Sequence, residues 1–240
     1  MCTLEKRGNI YILTLIGTNE HRLNPNLLNS LESALRRLKS EPASPSSVLI
    51  TTAHGKFFSN GYDLAWTQSS KSRRQLLSSK FRSLISSLIA LPMPTIAAVT
   101  GHASAAGFIL AISHDFVLMR KDRGFLYMSE VDIGLVIPEW FNAILKCKIG
   151  DYNVRRDVVL IAEKLTAKVA LEKRIIHSAH DSAESTVDAA VVLAEELIKR
   201  KRNGHVYGNN RLVVLSEVLD KIGFDESVEG QNWDNGKSKL

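Results

Sequence analysis

Apolar positions along the chain fall into short runs and helical stripes. Residues 9–16, NIYILTLI, are a β-branched apolar run closed by Gly17, which predicts a strand. Residues 25–40, PNLLNSLESALRRLKS, place Leu27, Leu28, Leu31, Ala34, Leu35 and Leu38 at helical spacing, with Pro25 suited to the first turn. After the loop EPASPSS, the stretch SVLITTA reads as a short buried strand. Strand, helix, strand is the opening of an α/β domain. A polar, basic stretch around SSKSRRQ leads into QLLSSKFRSLISSLIALP, a predicted helix that ends before Pro92.

The strand TIAAVTG follows, then an apolar helix rich in small residues, ASAAGFILAIS. DFVLMR and GFLYMSE read as two further strands, and WFNAILKCKIG as a helix started by Pro138 and stopped by Gly150. From residue 152 the pattern is helical: VRRDVVLIAE, TAKVALEKRII and STVDAAVVLAEELIKRKR. The segment after 205 shows no clear period. Strand, strand, helix units recur, although no fixed-period repeat is visible.

Composition narrows the class. A chain of 240 residues with 45% hydrophobic content can bury one main core. The 31 Lys and Arg outnumber the 25 Asp and Glu, giving +6, but they are scattered. That suits an anionic ligand and argues against a nucleic-acid partner. Cys2 and Cys147 have no metal-ligand spacing or disulfide pattern, which points to a reducing compartment. No apolar run is long enough for a membrane span, and MCTLEKRGNI lacks the apolar core of a signal peptide. A soluble protein is expected. The last three residues, Ser238, Lys239 and Leu240, form the tripeptide read by the peroxisomal import receptor, and they follow a polar tail that would leave it accessible.

Two small-residue loops carry the candidate chemistry. In GKFFSNGYDL (55–64) and TGHASAAGFILAISHD (100–115) a strand runs into a turn of Gly, Ala, Ser or Asn, which exposes backbone N–H groups suited to a developing oxyanion. Neither loop matches a dinucleotide fingerprint or a phosphate-binding Walker loop. Between them and the predicted helix at 140, MSEVDIGLVIPEW sets Glu130, Asp132 and Glu139 among apolar neighbours. By its position at a helix start Glu139 is favoured by the helix dipole with no chemical purpose. Asp132, two residues from Glu130 on an expected strand end, reads as a surface or ion-paired acid. His54, His102 and His114 lack metal or triad spacing and read as packing residues.

FFSNGYDL, PMPTIAAVTGHASAAGFILAISHDF and GFLYMSEVDIGLVIP resemble three consecutive blocks of the enoyl-CoA hydratase/isomerase (crotonase) superfamily, in the family's order and spacing, and the likeness runs from about residue 4 to 205. The resemblance implies an α/β fold, a spiral of β-β-α units over 1–150 that holds an acyl-CoA site. It also implies a helical region over 151–205 used in trimer contacts, and leaves 206–240 as a tail. The thioester oxygen is then expected between the backbone N–H groups of Tyr62 and Ala106, bordered by Ser59, Asn60, Gly61, Asp63, Leu64, Ala105 and Gly107. Ala at 105 and 106 departs from the commoner Gly but keeps the main-chain donor. Asp63 and Asp115 match positions that close turns.

Of the two glutamates used by hydratases of this superfamily, the first position is Ile109 here and the second is Glu130. Hydration asks for two acid/base groups, whereas moving a double bond asks for one. The resemblance therefore implies a Δ3,Δ2-enoyl-CoA isomerase with Glu130 as base, and Glu139 as the alternative because some relatives place their glutamate there. Another acyl-CoA reaction, hydration or thioester hydrolysis, and non-catalytic acyl-CoA binding are the competing readings. No cofactor or metal is expected beyond the CoA of the substrate. A peroxisomal homotrimer or hexamer is the expected form.

Overall fold

The computed structural model describes residues 1–17, 20–40, 46–68 and 70–223. The Ser238, Lys239 and Leu240 signal lies outside them.

An antiparallel pair, β1 (Cys2–Arg7) and β2 (Ile10–Leu15), begins the chain, followed by α1 (Pro25–Ser40). Helix α1 starts where the Asn24 side chain accepts from the Leu27 N–H, and its buried residues are the six that the spacing picks out. Strand β1 escapes the sequence pattern because most of its residues are exposed. It lies at the sheet edge, paired with β2 and tied to α1 where Cys2 meets Ser30.

Three β-β-α units come next. The first is β3 (Val48–Ala53), β4 (Phe57–Ser59), the single turn α2 (Leu64–Thr67) and α3 (Lys71–Ile89); the second is β5 (Thr95–Val99), β6 (His102–Ser104) and α4 (Ala106–Ile112). The third is β7 (Phe116–Arg120), β8 (Leu126–Tyr127), a 3-10 turn at Val131–Ile133 and α5 (Glu139–Lys148). Helix α3 begins earlier than the apolar pattern suggests, because Ser70 caps it and the basic stretch forms its first turns. The first strand of each unit joins a six-stranded sheet in the order β1-β2-β3-β5-β7-β9, and the second joins a parallel sheet β4-β6-β8. Each turn of the spiral therefore contributes to both sheets, as the expected fold requires.

The chain continues through α6 (Tyr152–Leu160), α7 (Ala167–Glu172), β9 (Ser178–His180) and α8 (Ala183–Lys199). Ala190, Ala194 and Leu197 of α8 close one face of the large sheet over Ile12, Ile50, Ile96 and Leu118. The main core fills the other side, with α1, α3, α4 and α5.

Residues 204–223, for which the pattern predicts no element, form α9 (Gly204–Val214) and α10 (Ser216–Gly223). Glycine at 204 and 208 is a poor helix former, and tertiary contacts override that propensity. A methyl at Gly204 would stand 2.1 Å from the Pro92 carbonyl oxygen, so the helix lies against the chain there. Arg211 then spans the join: its guanidinium pairs with Asp115 at 2.7 Å and donates to the carbonyls of Ile89, Leu91 and Met93. The side chain is only 5% exposed, so its charge is carried entirely by these acceptors. Removing one member of a buried pair costs about 3–5 kcal/mol, and Arg211→Ala is expected to destabilise by about that much in urea denaturation. A loss below about 1 kcal/mol would show that α9 is held by something else.

Candidate active site

Geometry around the two small-residue loops is set by missing side chains. A Cβ at Gly107 would meet the Ser59 carbonyl oxygen at 2.2 Å, and one at Gly101 the Lys56 carbonyl oxygen at 2.3 Å. Strand β4 can therefore lie directly against β6 and the start of α4. Gly61, with φ +71°, turns the chain out of β4 so that a Cβ there would be 3.2 Å from Ala105 Cβ and 3.4 Å from Ala106 N. The loops meet, and the amides of Tyr62 and Ala106 come from the two sides of that junction.

The first loop is held from behind. Leu23 N–H donates to the Gly61 carbonyl and Asp63 N–H to the Leu23 carbonyl, a parallel bridge that leaves the intervening Tyr62 N–H unused. Asp63 caps α2 by accepting from Trp66 N–H, and the buried Ser59 hydroxyl donates to the His21 carbonyl. In the second loop Ala105 sits at φ +51°, ψ −123°, a conformation that L side chains adopt with strain, and Ala106 opens α4. Among the described residues neither Tyr62 N–H nor Ala106 N–H has a backbone acceptor. Both are free to donate to a ligand.

A largely apolar cavity of about 210 Å³ opens beside this junction. Asn60, Tyr62, Leu64 and Ala105 line it; Ser59, Gly61, Asp63, Ala106 and Gly107 are not among the lining residues. Arg22, Leu77, Ser78 and Phe141 also line it, and no local motif marked them. They arrive from three separate segments, the loop before α1, helix α3 and helix α5, so only the folded chain brings them together. Of the basic residues near the loops, Arg74 reaches the lining, while Arg73 is engaged with the Trp66 carbonyl and ring and with Gln68.

Among the described residues Glu130 is the one carboxylate in the lining. It does not lie on a strand, as GFLYMSE suggests, because β8 stops at Tyr127 and the chain enters the 3-10 turn. The turn is closed by Ile133 and Leu135 N–H groups donating to the Glu130 carbonyl and by Gly134 at φ +70°. Strand parity would put Glu130 and Asp132 on one face. In the turn, Glu130 is 8% exposed while Asp132 faces solvent. Glu130 Oε2 is shielded from solvent and has no hydrogen-bond partner among the described residues. Burial lifts its pKa from 4.5 to about 7, opposed only in part by backbone N–H groups of Glu130 and Ser129.

Glu139 is placed differently. It opens α5 at the surface, with its side chain 63% exposed, and pairs with Lys221 of α10 at 2.6 Å. Ile109, fully buried on α4, offers no proton acceptor. His114 is buried and bonded to Thr51 and the Leu110 carbonyl, and burial pushes its pKa down to about 4, so it is a neutral packing residue. Among the described residues no group of three or more His, Cys, Asp or Glu could hold a metal ion, and no helix is long and apolar enough to cross a membrane. A larger cleft of about 590 Å³ runs beside α9, but its Asp115 and Arg211 are committed to each other.

An unpaired carboxylate facing an apolar cavity beside two free amides fits proton abstraction from a carbon next to a carbonyl. Residues 5–210 match the family described as enoyl-CoA hydratase/isomerase. The chain belongs to that family. Enoyl-CoA delta isomerase 1, peroxisomal, of Arabidopsis thaliana is 58% identical over 228 residues, covering 95% of both chains. Enoyl-CoA delta isomerase 2, peroxisomal, of the same plant is 47% identical, covering 95% of this chain and 98% of its own. An apo enoyl-CoA isomerase of Mycobacterium tuberculosis superposes with a TM-score of 0.84 at 22% identity, covering 95% and 97% of the two chains, a likeness of fold. The enoyl-CoA hydratase/isomerase fold is thus present across nearly the whole described chain.

Burial of Glu130 has a consequence for stability. Its folded pKa, about 7, stands above the ordinary 4.5, so the folded state holds the proton more tightly. Stability is therefore lost as pH rises from about 4.5 towards 7, and the charged carboxylate remains a burden above that. Glu130→Gln is expected to be more stable than the wild type at pH 8, by roughly 1–3 kcal/mol, and nearly equal to it at pH 4.5. Equal stability of the two proteins at pH 8 would mean that Glu130 is solvated.

Proposed function

We propose that this enzyme is a Δ3,Δ2-enoyl-CoA isomerase that converts 3-cis or 3-trans enoyl-CoA to the 2-trans isomer in the oxidation of unsaturated fatty acids. The observation that carries the reading is that, among the described residues, a single carboxylate, Glu130, faces the cavity. Hydration of a double bond needs one group to activate water and another to deliver a proton. Here the position of the second acid is the buried Ile109.

In this reading the thioester oxygen lies between Tyr62 N–H and Ala106 N–H. As the C2 proton leaves, negative charge gathers on that oxygen, and each such donor is worth about 3–4 kcal/mol in favourable enzymes. The Glu130 carboxylate takes the proton from C2. A carboxyl with a pKa near 7 is a stronger base than an exposed one and is still an anion in about half of the molecules at neutral pH. The dienolate then accepts the same proton at C4, which moves the double bond into conjugation with the carbonyl. Apolar walls, Leu77 and Phe141 among them, keep water from the intermediate. Arg74 at the same cavity supplies positive charge for CoA phosphates, whereas Arg22 is paired with Glu20. No cofactor takes part.

Naming of two Arabidopsis relatives as peroxisomal and the Ser238-Lys239-Leu240 terminus support import into peroxisomes through the tripeptide receptor. The region 151–205 is assigned to contacts of a homotrimer, alone or paired as a hexamer.

Absorbance assays of 3-enoyl-CoA conversion test the base. Glu130→Gln is expected to lose 10²–10⁴-fold or more in kcat, while Glu139→Gln, at the surface, is expected to stay within about threefold of wild type. The reverse ranking would transfer the role to Glu139. Appreciable water addition to 2-trans-enoyl-CoA by the wild type would favour a hydratase instead.

A further inference from the structure

Glu130 Oε2 is not alone in lacking a partner. The Tyr62 hydroxyl is also shielded from solvent and unpaired, and the two residues line the same cavity from different β-β-α units. Ser78 on α3 is a polar neighbour of the phenol, without forming a hydrogen bond to it within ordinary geometry. Buried polar atoms are nearly always satisfied, and each exception asks for a cause. Two orphans of complementary type at one cavity share a cause more simply than they have two.

Their chemistry is matched. A phenol offers an O–H donor, and an ionised carboxylate only accepts. Burial, with the Glu130 charge adding to it, holds the Tyr62 pKa well above the ordinary range against the opposing charge of Arg82, so the hydroxyl keeps its proton throughout the working pH range. Its ring is fixed by Phe81, edge-on at 5.6 Å, and Phe141, stacked at 6.4 Å, which leaves the hydroxyl little freedom to seek solvent.

We propose that Tyr62 is a positioning residue for the isomerase reaction: its hydroxyl donates a hydrogen bond, through one water in the cavity, to the Glu130 carboxylate. The inference rests on Glu130 being the base. The bond favours the charged carboxylate against the cost of burial, holds one of its oxygens, and leaves the other to face C2. A single residue then serves both ends of the reaction, its N–H at the thioester oxygen and its hydroxyl at the base, so the spacing between them is set by one rigid side chain.

Other charged groups do not duplicate this role. Arg22 and Arg74 line the cavity, Arg82 lies near Tyr62 on α3, and Asp132 and Glu139 are at the surface on the flanking turn and helix. None of them contributes to the pKa displacement of Glu130, which comes from burial and backbone N–H groups.

Tyr62→Phe keeps the ring and the backbone N–H and removes only the donor. Activity rises with pH as Glu130 loses its proton, so losing a donor to the anion moves that rising limb of kcat/KM up, by about half to one pH unit. Difference infrared titration of the ligand-free protein, with the Glu130 carboxyl band assigned by its absence in Glu130→Gln, should show the same upward move. An unmoved limb and an unmoved titration overturn the proposal, even if Tm falls, because lost ring packing alone would do that. Should the Phe variant fold poorly, 3-fluorotyrosine at position 62 serves as the second probe. Its more acidic phenol is expected to shift the limb down, and no shift overturns the proposal. Full activity of Glu130→Gln would remove the base assignment itself, whereas an inactive Glu130→Gln beside an unmoved Tyr62→Phe profile would remove only this inference.

Discussion

Everything in the site depends on the contact between Gly107 and the Ser59 carbonyl. With 2.2 Å between that oxygen and the place of a Cβ, the start of α4 and the end of β4 can approach only where no side chain exists. That approach brings the loop of Tyr62 beside the loop of Ala106. It also sets Tyr62 and Ala105 at the wall of one cavity and leaves the amides of Tyr62 and Ala106 without a backbone acceptor among the described residues. The third unit of the spiral then sets Glu130 on the same cavity.

Strain and unpaired groups gather at this junction. Ala105 holds a backbone conformation better suited to glycine, Glu130 is buried without a counter-charge, and the Tyr62 hydroxyl lacks a partner. Elsewhere a buried charge is fully met, as where Arg211 finds Asp115 and three carbonyls. Orphaned buried groups lower stability, so the Glu130 carboxylate and the Tyr62 hydroxyl cost the fold stability at this cavity. The contrast between Glu130 and Glu139 is of the same kind: one acid is held away from water with a raised pKa, and the other is solvated and paired with Lys221.

Much of this was legible in the chain itself. The stripe of α1 names its buried residues without error, since a helix packing one face on a core must repeat at that spacing. The two small-residue loops and Glu130 stand out by composition, and Ile109 by the absence of an acid. What stayed hidden has physical reasons. Strand β1 is exposed over most of its length, and β4, β6 and β9 have three residues each, too short for a period to show. Helix α9 forms through contacts with Leu91 and Pro92, and α10 through contacts with α5, that no local pattern encodes. The placing of Glu130 inward and Asp132 outward follows from a 3-10 turn, where alternation along a strand would have grouped them. Arg22, Ser78 and Phe141 join the cavity only through the tertiary fold.

A single shuttling carboxylate in a water-poor cavity makes a claim about one atom: the proton removed from C2 is the proton delivered to C4. Following deuterium from C2-labelled 3-enoyl-CoA in ordinary water tests this directly, with the product examined by mass spectrometry and NMR in single-turnover reactions. The account predicts label at C4 well above the level that solvent exchange would leave. Product whose C4 hydrogen comes wholly from solvent at the earliest times would contradict it, because a second, water-fed acid would then be completing the reaction.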